Sequence, residues 1–329
     1  MTKMILDLDT GIDDAMALAY AIACKEIELI GVTGTYGNVY TEVGVQNVLD
    51  ILHMLGVEGV PVCAGEEHAI SKRVFERMEV SARIHGENGV GQVSMETSLK
   101  SKESISGVDF IIESIKKHGQ DLVIVTTGPL TNLATALKTA PEITEFIGRV
   151  VIMGGALTVP GNVNAYTEAN VSQDPEATKY VFESGVDVTM VGLDVTQRSI
   201  LTTADTQLWR KTGSIGGRTY ADMVDYYISQ HSDLDSSCYL HDPSAVIQAI
   251  HPEYFTTLPM HMTVVTEGEA AGRTIGDPFK LRDPNPNVKV CLAVDSSALV
   301  KDLNYTLLSL FGEQTSGNVK EVESSLKSH

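Results

Sequence analysis

The stretch KMILDLDTGIDDAMALAYAIA, residues 3–23, decides how this sequence is interpreted. Its first part is apolar and of strand length, and its last part is rich in Ala and Met and of helix length. Asp7 and Asp9 lie at the end of the predicted strand. Asp13 and Asp14 lie in the first turn of the predicted helix, where the helix dipole favours negative charge. Four carboxylates therefore converge where a strand is followed by a helix.

This cluster of aspartates predicts a divalent-cation site. Helix capping explains one or two of the aspartates, but so dense a set of like charges is costly unless a cation neutralises it. The candidate ligands are hard oxygens, which favours calcium or magnesium over zinc. An EF-hand loop does not match, because Gly11 stands fifth from Asp7 instead of sixth. A haloacid dehalogenase motif does not match either, because Thr10 follows Asp9 directly.

Composition limits the class of protein. The 329 residues include 43% hydrophobic residues, enough for a substantial core in one large domain or two smaller ones. The 24 basic and 43 acidic residues give a formal charge of −19, which argues against nucleic acid or an anionic membrane as partner. The four cysteines form no CxxC pair, which is typical of buried free thiols. No apolar run reaches membrane-spanning length, and the early aspartates interrupt any signal peptide, so we expect a cytoplasmic protein.

Apolar runs alternate with helical stretches in the order of βα units, which predicts an α/β protein with a mostly parallel sheet. We predict strands over residues 4–8, 27–33, 59–64, 121–126, 149–153, 186–195, 255–266 and 287–295. We predict helices over residues 41–56, 104–118, 203–231 in two pieces, 244–250 and 300–311, with another beginning at 174. No repeat or linker divides the chain, so we predict one domain over residues 1–312 and a polar tail over 313–329.

Residues 65–101 break this alternation and predict a long irregular insertion, which in a compact domain is usually a functional loop or disorder. The insertion contains RIHGENGVG, residues 83–91, whose three glycines give the backbone the freedom of a lid. By itself, His85 in this segment is best interpreted as an exposed loop histidine.

Polar groups follow several other predicted strands: Gly37-Asn38, TGPLTN at 127–132, Asn162 with Glu168-Ala169-Asn170, and His241-Asp242-Pro243. Asparagines are common in turns, so about half of such runs reflect turn chemistry alone. The last group also has a purely structural interpretation, in which Asp242 caps a helix, Pro243 takes its first position and His241 precedes it passively.

These motifs together resemble the nucleoside hydrolases. Asp7, Asp9, Gly11, Asp13 and Asp14 match the family signature Asp-x-Asp-x-Gly-x-Asp-Asp. The four polar groups match in order, residues 84–87 match the flexible-loop histidine of the family, and the similarity spans about residues 3–312. A histidine before the late aspartate is typical of the branch that includes inosine-uridine-preferring and pyrimidine-preferring enzymes.

The resemblance implies a single-domain fold with an open, mostly parallel sheet flanked by helices around a Rossmann-like core. It also implies hydrolysis of the N-glycosidic bond of ribonucleosides to free base and ribose, in nucleoside salvage. The implied cofactor is Ca²⁺, held by the carboxylates of Asp9, Asp14 and Asp242 and the backbone carbonyl of Thr127. The implied ribose ligands are Asp13, Asn38, Asn162, Glu168 and Asn170.

The resemblance further implies that Asp9 is the general base for the attacking water and that His241 is the acid for the leaving base. Candidates for the base pocket are His85, Tyr226, Tyr227, His231 and Tyr239, although some of these tyrosines are equally consistent with the core of a helix. The family suggests a homotetramer or dimer. Two alternatives keep the same ribose and metal residues: a hydrolase of another N-riboside, such as a nicotinamide or modified-base nucleoside, and a non-catalytic calcium-bound nucleoside sensor.

Overall fold

Eight strands form the central sheet in the computed structural model, which describes residues 1–231, 234–280 and 282–313. They are β1 (Thr2–Leu8), β2 (Ile27–Gly34), β3 (Val62–Ala64), β4 (Leu122–Thr126), β5 (Arg149–Met153), β6 (Asp187–Val191), β9 (Phe255–Met260) and β12 (Val288–Val294). Two smaller antiparallel pairs join β7 (Ile200–Thr202) to β8 (Ser237–Tyr239), and β10 (Met262–Val264) to β11 (Thr274–Gly276).

The order of strands in the sheet is β3-β2-β1-β4-β5-β6-β12-β9, and every pairing is parallel except that of β12 with β9. The chain winds outward from β1 to β3, then returns to place β4 on the other side of β1. A reversal of this kind opens a crevice beyond the carboxyl ends of β1 and β4, where open α/β sheets bind ligands. The predicted α/β class with a mostly parallel sheet is confirmed.

Helices cover both faces of the sheet. They are α1 (Ile12–Ala23), α2 (Thr41–Met54), α3 (Glu79–His85), α4 (Gly107–His118), α5 (Thr131–Thr139), α6 (Ala169–Gln173), α7 (Pro175–Glu183), α8 (Leu193–Thr196), α9 (Thr203–Lys211), α10 (Ile215–Gln230), α11 (Asp242–Ile250) and α12 (Ser296–Glu313). Short 3-10 turns cover Gly119–Asp121, Pro141–Glu145 and Pro252–Tyr254. Among the described residues, no helix is long and apolar enough to cross a membrane.

Strand β1 is buried on both faces, which explains its continuous apolar sequence. Met4, Leu6 and Leu8 join one hydrophobic core, and Ile5 joins the other on the opposite face. Helix α1 is buried from Ile12 to Ala21, so its apolar residues extend all round the helix instead of along one face. This central packing fixes the aspartates between β1 and α1 in a rigid frame.

Several segments differ from the prediction, and the short strands β7, β8 and β11 were not predicted. The apolar run 186–195 ends as a strand at Val191 and continues as α8, because periodicity cannot separate two buried elements in one apolar run. The run 255–266 is divided into β9 and β10. The insertion contains α3, and the turn before residue 174 contains α6. Apart from residue 313, where α12 ends, the predicted tail lies outside the described residues. The four cysteines are free and buried, as expected.

Candidate active site

A cleft of ≈ 360 Å³ lies beyond the carboxyl ends of β1 and β4, within the size range of small-molecule sites. Most of the predicted site residues line it: Asp13, Asn38, His85, Thr127, Asn162, Glu168, Asn170, Tyr227, His231, Tyr239, His241 and Asp242. Asp9 and Asp14 are fully buried and support these lining residues from below. The topology therefore brings together side chains that are more than 200 residues apart in the sequence.

Three carboxylates converge in the floor of the cleft. One oxygen from each of Asp13, Asp14 and Asp242 lies within 4.8 Å of the other two. Asp9 is outside this group of three but adjoins it, because the side-chain amide of Asn38 donates to Oδ1 of Asp9 (3.0 Å) and to Oδ2 of Asp14 (3.3 Å). The backbone N–H of Asn38 also donates to Oδ2 of Asp9 (2.8 Å). Asn38 thus holds both carboxylates in place.

The electrostatics of this floor fit a cation. Burial, and then the charge of Asp14, raise the pKa of Asp13 to about 7 and that of Asp9 well above its usual range. Burial and then the neighbouring aspartates raise the pKa of Asp242 in the same way. Oδ1 of Asp13 is buried without a hydrogen-bond partner. Crowded carboxylates with a free oxygen are the hard donors that calcium or magnesium takes, so the residues present fit a divalent cation.

The loop after β4 connects this floor to the ribose candidates. Its backbone N–H at Thr127 donates to the carbonyl of Asp7 (2.9 Å), and the Thr127 hydroxyl donates to Oδ1 of Asp14 (2.6 Å). The amide of Asn170 donates to the carbonyls of Thr127 (2.6 Å) and Met153 (3.1 Å). The Asn170 side-chain amide is therefore used as a donor within the protein, and Asn170 lines the cleft.

Glu168 is the N-cap of α6. Its carboxylate accepts hydrogen bonds from the backbone N–H groups of Gly155 (2.9 Å), Asn170 (2.9 Å) and Val171 (3.1 Å). Burial raises its pKa despite these three donors. Asn162 is exposed at the rim of the cleft, and its Oδ1 accepts from the N–H of Ala169 (2.9 Å).

His85 is a buried residue of α3 and not an exposed loop histidine, since only 6% of it is accessible. Its Nδ1 accepts the backbone N–H of Ile12 (3.1 Å) at the start of α1, so the ring proton of the neutral form is on Nε2. Burial, and then the charge of Arg77, lower the pKa of His85 to about 3. His85 is thereby fixed as a neutral ring beside the carboxylates.

His241 is the N-cap of α11, and Asp242 is the first residue of that helix. The purely structural interpretation placed both positions one residue later, with Asp242 as the N-cap. Its Nδ1 is hydrogen-bonded to the hydroxyl of Thr196 (2.8 Å). Burial lowers the pKa of His241 to about 3. The ring is therefore neutral before substrate binds, and its contact with Thr196 holds its plane in the cleft wall.

Five aromatic and imidazole rings form a continuous wall on this side of the cleft. The distances between ring centroids are 5.4 Å for His85 and Tyr227, 4.5 Å for Tyr227 and His231, 6.0 Å for His231 and Tyr239, and 5.8 Å for Tyr239 and His241. Such spacings are those of offset or edge-to-face ring pairs. The wall offers a flat ligand both stacking area and polar ring edges.

Tyr226 is not part of this wall, in contrast to its assignment as a base-pocket candidate. Successive residues of a helix point about 100° apart, and of these two neighbours in α10 it is Tyr227 that lines the cleft. The hydroxyl of Tyr226 donates instead to the carbonyl of Arg83 (3.1 Å), which packs α10 against α3.

Comparisons with known proteins show which family this chain belongs to. Residues 4–301 match the model of the family described as inosine-uridine preferring nucleoside hydrolase. This chain belongs to that family. It is a ribonucleoside hydrolase, which splits a ribonucleoside into free base and ribose.

Relatives of this nucleoside hydrolase are named for different bases. A purine-preferring ribonucleoside hydrolase from Gardnerella vaginalis is 49% identical, with a TM-score of 0.93, covering 94% of this chain and 99% of its own. The pyrimidine-specific ribonucleoside hydrolase RihA of Salmonella gallinarum is 34% identical over 90% of this chain and 95% of its own. "Probable uridine nucleosidase 2" of Arabidopsis thaliana is 33% identical over 91% of this chain and 95% of its own.

Thr196 and Gln197 are among the residues at the cleft of this hydrolase that were not predicted as site residues. Gln197 lines the cleft, and Thr196 supports His241. Thr196 ends α8 and Gln197 directly follows it, so both come just after the segment predicted as strand. No motif marks them, because their position depends on where β6 ends. Recognition of Gly192 as a break in the apolar run would have been the available signal.

Proposed function

We propose that this hydrolase is calcium-dependent and that Asp9, Asp14, Asp242 and the backbone carbonyl of Thr127 hold the ion. The observation that carries the proposal is the convergence of the buried carboxylates of Asp13, Asp14 and Asp242 in the floor of the cleft, with Asp9 joined to Asp14 through the side-chain amide of Asn38. Calcium accepts both charged and neutral oxygens in one flexible shell. When bound, it supplies positive charge that balances the carboxylates and acidifies a water molecule.

Asp13, Asn38, Asn162, Glu168 and Asn170 then bind the ribose. Carboxylate and amide oxygens accept hydrogen bonds from the sugar hydroxyls, and the amide groups keep the acceptors in place. A sugar that lacks a hydroxyl leaves such buried partners unpaired, so this half of the cleft selects ribose over deoxyribose.

Asp9 is the general base that takes a proton from the attacking water. Asn38 bonds to both Asp9 oxygens and orients the carboxylate for this transfer. The nearby carboxylates also stabilise the positive charge that develops on the sugar as the N-glycosidic bond breaks, as in other glycoside hydrolases.

His241 donates a hydrogen bond from the Nε2–H of its neutral ring to the departing base. Thr196 is placed to support this role, because the neutral ring carries its proton on Nε2 when the Thr196 hydroxyl donates to Nδ1. Tyr227, Tyr239, His231 and His85 complete the base pocket, where they stack on the base or bond to its edge.

Purine ribonucleosides are the preferred substrates in this proposal. The purine-preferring relative shares 49% identity over nearly the whole chain, and a wall of five rings suits a two-ring base. The test is steady-state hydrolysis of inosine, adenosine, guanosine, uridine and cytidine, each with calcium and with a chelator. We expect a higher kcat/KM for the purine nucleosides than for the pyrimidine nucleosides. Hydrolysis should be lost on chelation and restored by calcium.

The same panel tests the two alternatives. Faster hydrolysis of a nicotinamide or modified-base riboside than of all five nucleosides would contradict the assignment of base class. Tight nucleoside binding without turnover would indicate a sensor.

We also infer a homotetramer or dimer in the cytoplasm, and analytical ultracentrifugation tests the oligomeric state.

A further inference from the structure

Arg77 lies between β3 and α3, and only 9% of its side chain is accessible. Its guanidinium donates to three backbone carbonyls: Nε to Asn38, Nη2 to Gly86 (2.7 Å) and Nη1 to Glu87 (2.9 Å). The rigid fork of a guanidinium suits a set of acceptors that diverge in one plane, which the single ammonium of lysine cannot satisfy. Arg77 therefore joins the backbone of two separate loops.

Both loops belong to the cleft. Asn38 holds Asp9 and Asp14, as described above. Gly86 and Glu87 are the two residues that directly follow His85. The 85–92 loop closes on itself, because Gly89 donates to the carbonyl of Gly86 (3.1 Å) and Gly91 donates to that of His85 (2.8 Å). Arg77 thus fixes the first turn of this loop relative to Asn38.

The place of His85 depends on this closure. Its Nδ1 lies so close to α1 that a Cβ added at Gly11 would be 2.6 Å from it. Gly86 has a φ of 77°, which places the chain reversal immediately after His85. A shift of the loop would withdraw the ring from Ile12 and from its contact with Tyr227.

The surface ion pair of Arg77 does not explain its position. The carboxylate of Glu87 is 3.5 Å from Nη1, but 79% of that side chain is accessible, and exposed pairs contribute little. The three carbonyls are the contacts that a largely buried guanidinium needs.

We propose that Arg77 is a positioning residue that holds the 85–92 loop closed, so that His85 stays docked on α1 beside the base. It acts through His85 without touching the substrate. A merely structural arginine would support the fold as a whole, whereas this arginine determines a local opening equilibrium of one loop.

The first test is amide hydrogen exchange in Arg77→Met, which keeps the apolar stem but removes the donors. Exchange at Gly89 and Gly91 should be roughly 10- to 100-fold faster, since hydrogen bonds to a charged group are lost, while exchange in β1 and β4 stays unchanged. Arg77→Lys should restore part of the protection. Unchanged exchange at the glycines, or equal acceleration in the strands, would overturn the proposal.

The second test is a double-mutant cycle with His85→Ala on the best nucleoside substrate. Arg77→Met alone should lower kcat/KM about as much as His85→Ala, and the double variant should lose little more, because both remove the same contact. Additive losses would contradict an action through His85. Glu87→Gln and Arg73→Met, which leave the three carbonyl contacts intact, should keep native kcat/KM.

The cycle rests on the proposed function, whereas the exchange measurement does not. Faster exchange at the two glycines without nucleoside hydrolysis by the native protein would therefore contradict the function and support the loop assignment. Normal hydrolysis with unchanged exchange would support the function and contradict the loop assignment.

Discussion

The proposed ribose half and the proposed base half of the cleft, called the ribose half and the base half below, are built by different kinds of contact. In the ribose half, Asp9, Asp14, Asn38 and Asn170 are hydrogen-bonded to one another or to strand-end backbone at 2.6–3.3 Å. In the base half, five rings contact one another through their faces and edges, and a loop, helices and a short strand carry them. Polar contacts fix the first half, whereas ring packing joins single hydrogen bonds, such as those of His85 and His241, in fixing the second.

This difference matches the chemistry of each half. A ribose presents the same hydroxyls in every ribonucleoside, so directional bonds at fixed positions suit it. Bases differ in size and polar edges, and a wall of rings accepts such variation through small changes of packing. We infer that substitutions in the ribose half affect all substrates alike, and that those in the base half separate the substrates.

The largest effect is expected for Asp14→Asn in the ribose half. This change keeps the shape but removes the charge of a ligand and one of the two oxygens that accept hydrogen bonds from Thr127 and Gly11, so turnover should be lost for every nucleoside together with bound calcium. Metal analysis and activity assays check this, with the exposed Asp109→Asn as control. Near-native metal content and turnover in Asp14→Asn would show that the ion site is assigned wrongly.

His241→Ala, in the base half, should separate the substrates by leaving group. Loss of a positioned proton donor should lower kcat for inosine by about 10²–10⁴-fold. A p-nitrophenyl riboside leaves as a stable anion and should be cleaved almost normally, whereas Asp9→Ala should impair both substrates. If His241→Ala weakened both substrates equally, His241 would be a positioning group and not a donor to the base.

Asn170→Ala should reduce kcat/KM about 10- to 100-fold for ribonucleosides of any base, the range for a lost hydrogen bond in a charged site. The reduction should be smaller for 2′-deoxyribonucleosides. Asn164→Ala is the matched control, because Asn164 binds only loop backbone outside the cleft lining. Equal reductions for both sugars would mean that Asn170 only supports the loop.

The ribose half could be predicted from the sequence because its residues follow strands. The apolar run before Asp9 is unambiguous, and parallel topology brings the ends of strands to one edge, so Asn38 and Thr127 had to lie near Asp9. Local motifs and topology were sufficient to bring these side chains together, whereas their proposed roles depend on the family resemblance.

The base half could not be predicted in the same way. Whether Tyr226 or Tyr227 faces the cleft depends on the rotation of α10, and both fit an amphipathic helix. The burial of His85 depends on Arg77 and on the start of α1, which are 8 and 73 residues away in the sequence. The end of β6 depends on tertiary packing within one apolar run. Composition of a segment does not determine such long-range contacts.

The smallest effect concerns pH, to which the two halves respond with opposite sign. Burial lowers the pKa of His85 from 6.5 to about 3, so between these values the unfolded chain binds a proton that the folded protein does not. Through His85, the free energy of unfolding therefore falls as the pH drops from 7 to 5, by about 2 kcal/mol. Asp13 acts oppositely: its pKa is raised to about 7, so the folded protein binds the extra proton and acid favours folding.

The variant His85→Gln separates the contribution of His85 to the pH dependence of stability from that of the carboxylates. Urea unfolding of chelator-treated His85→Gln at pH 7 and pH 5 should show a free energy of unfolding that decreases by about 2 kcal/mol less on acidification than in the native protein. His53→Gln removes an exposed histidine from α2 and should follow the native protein. If His85→Gln instead lost as much stability on acidification as the native protein, His85 would be accessible to protons in the folded state. The base half would then be open to water, and the contrast with the buried carboxylates of the ribose half would not hold.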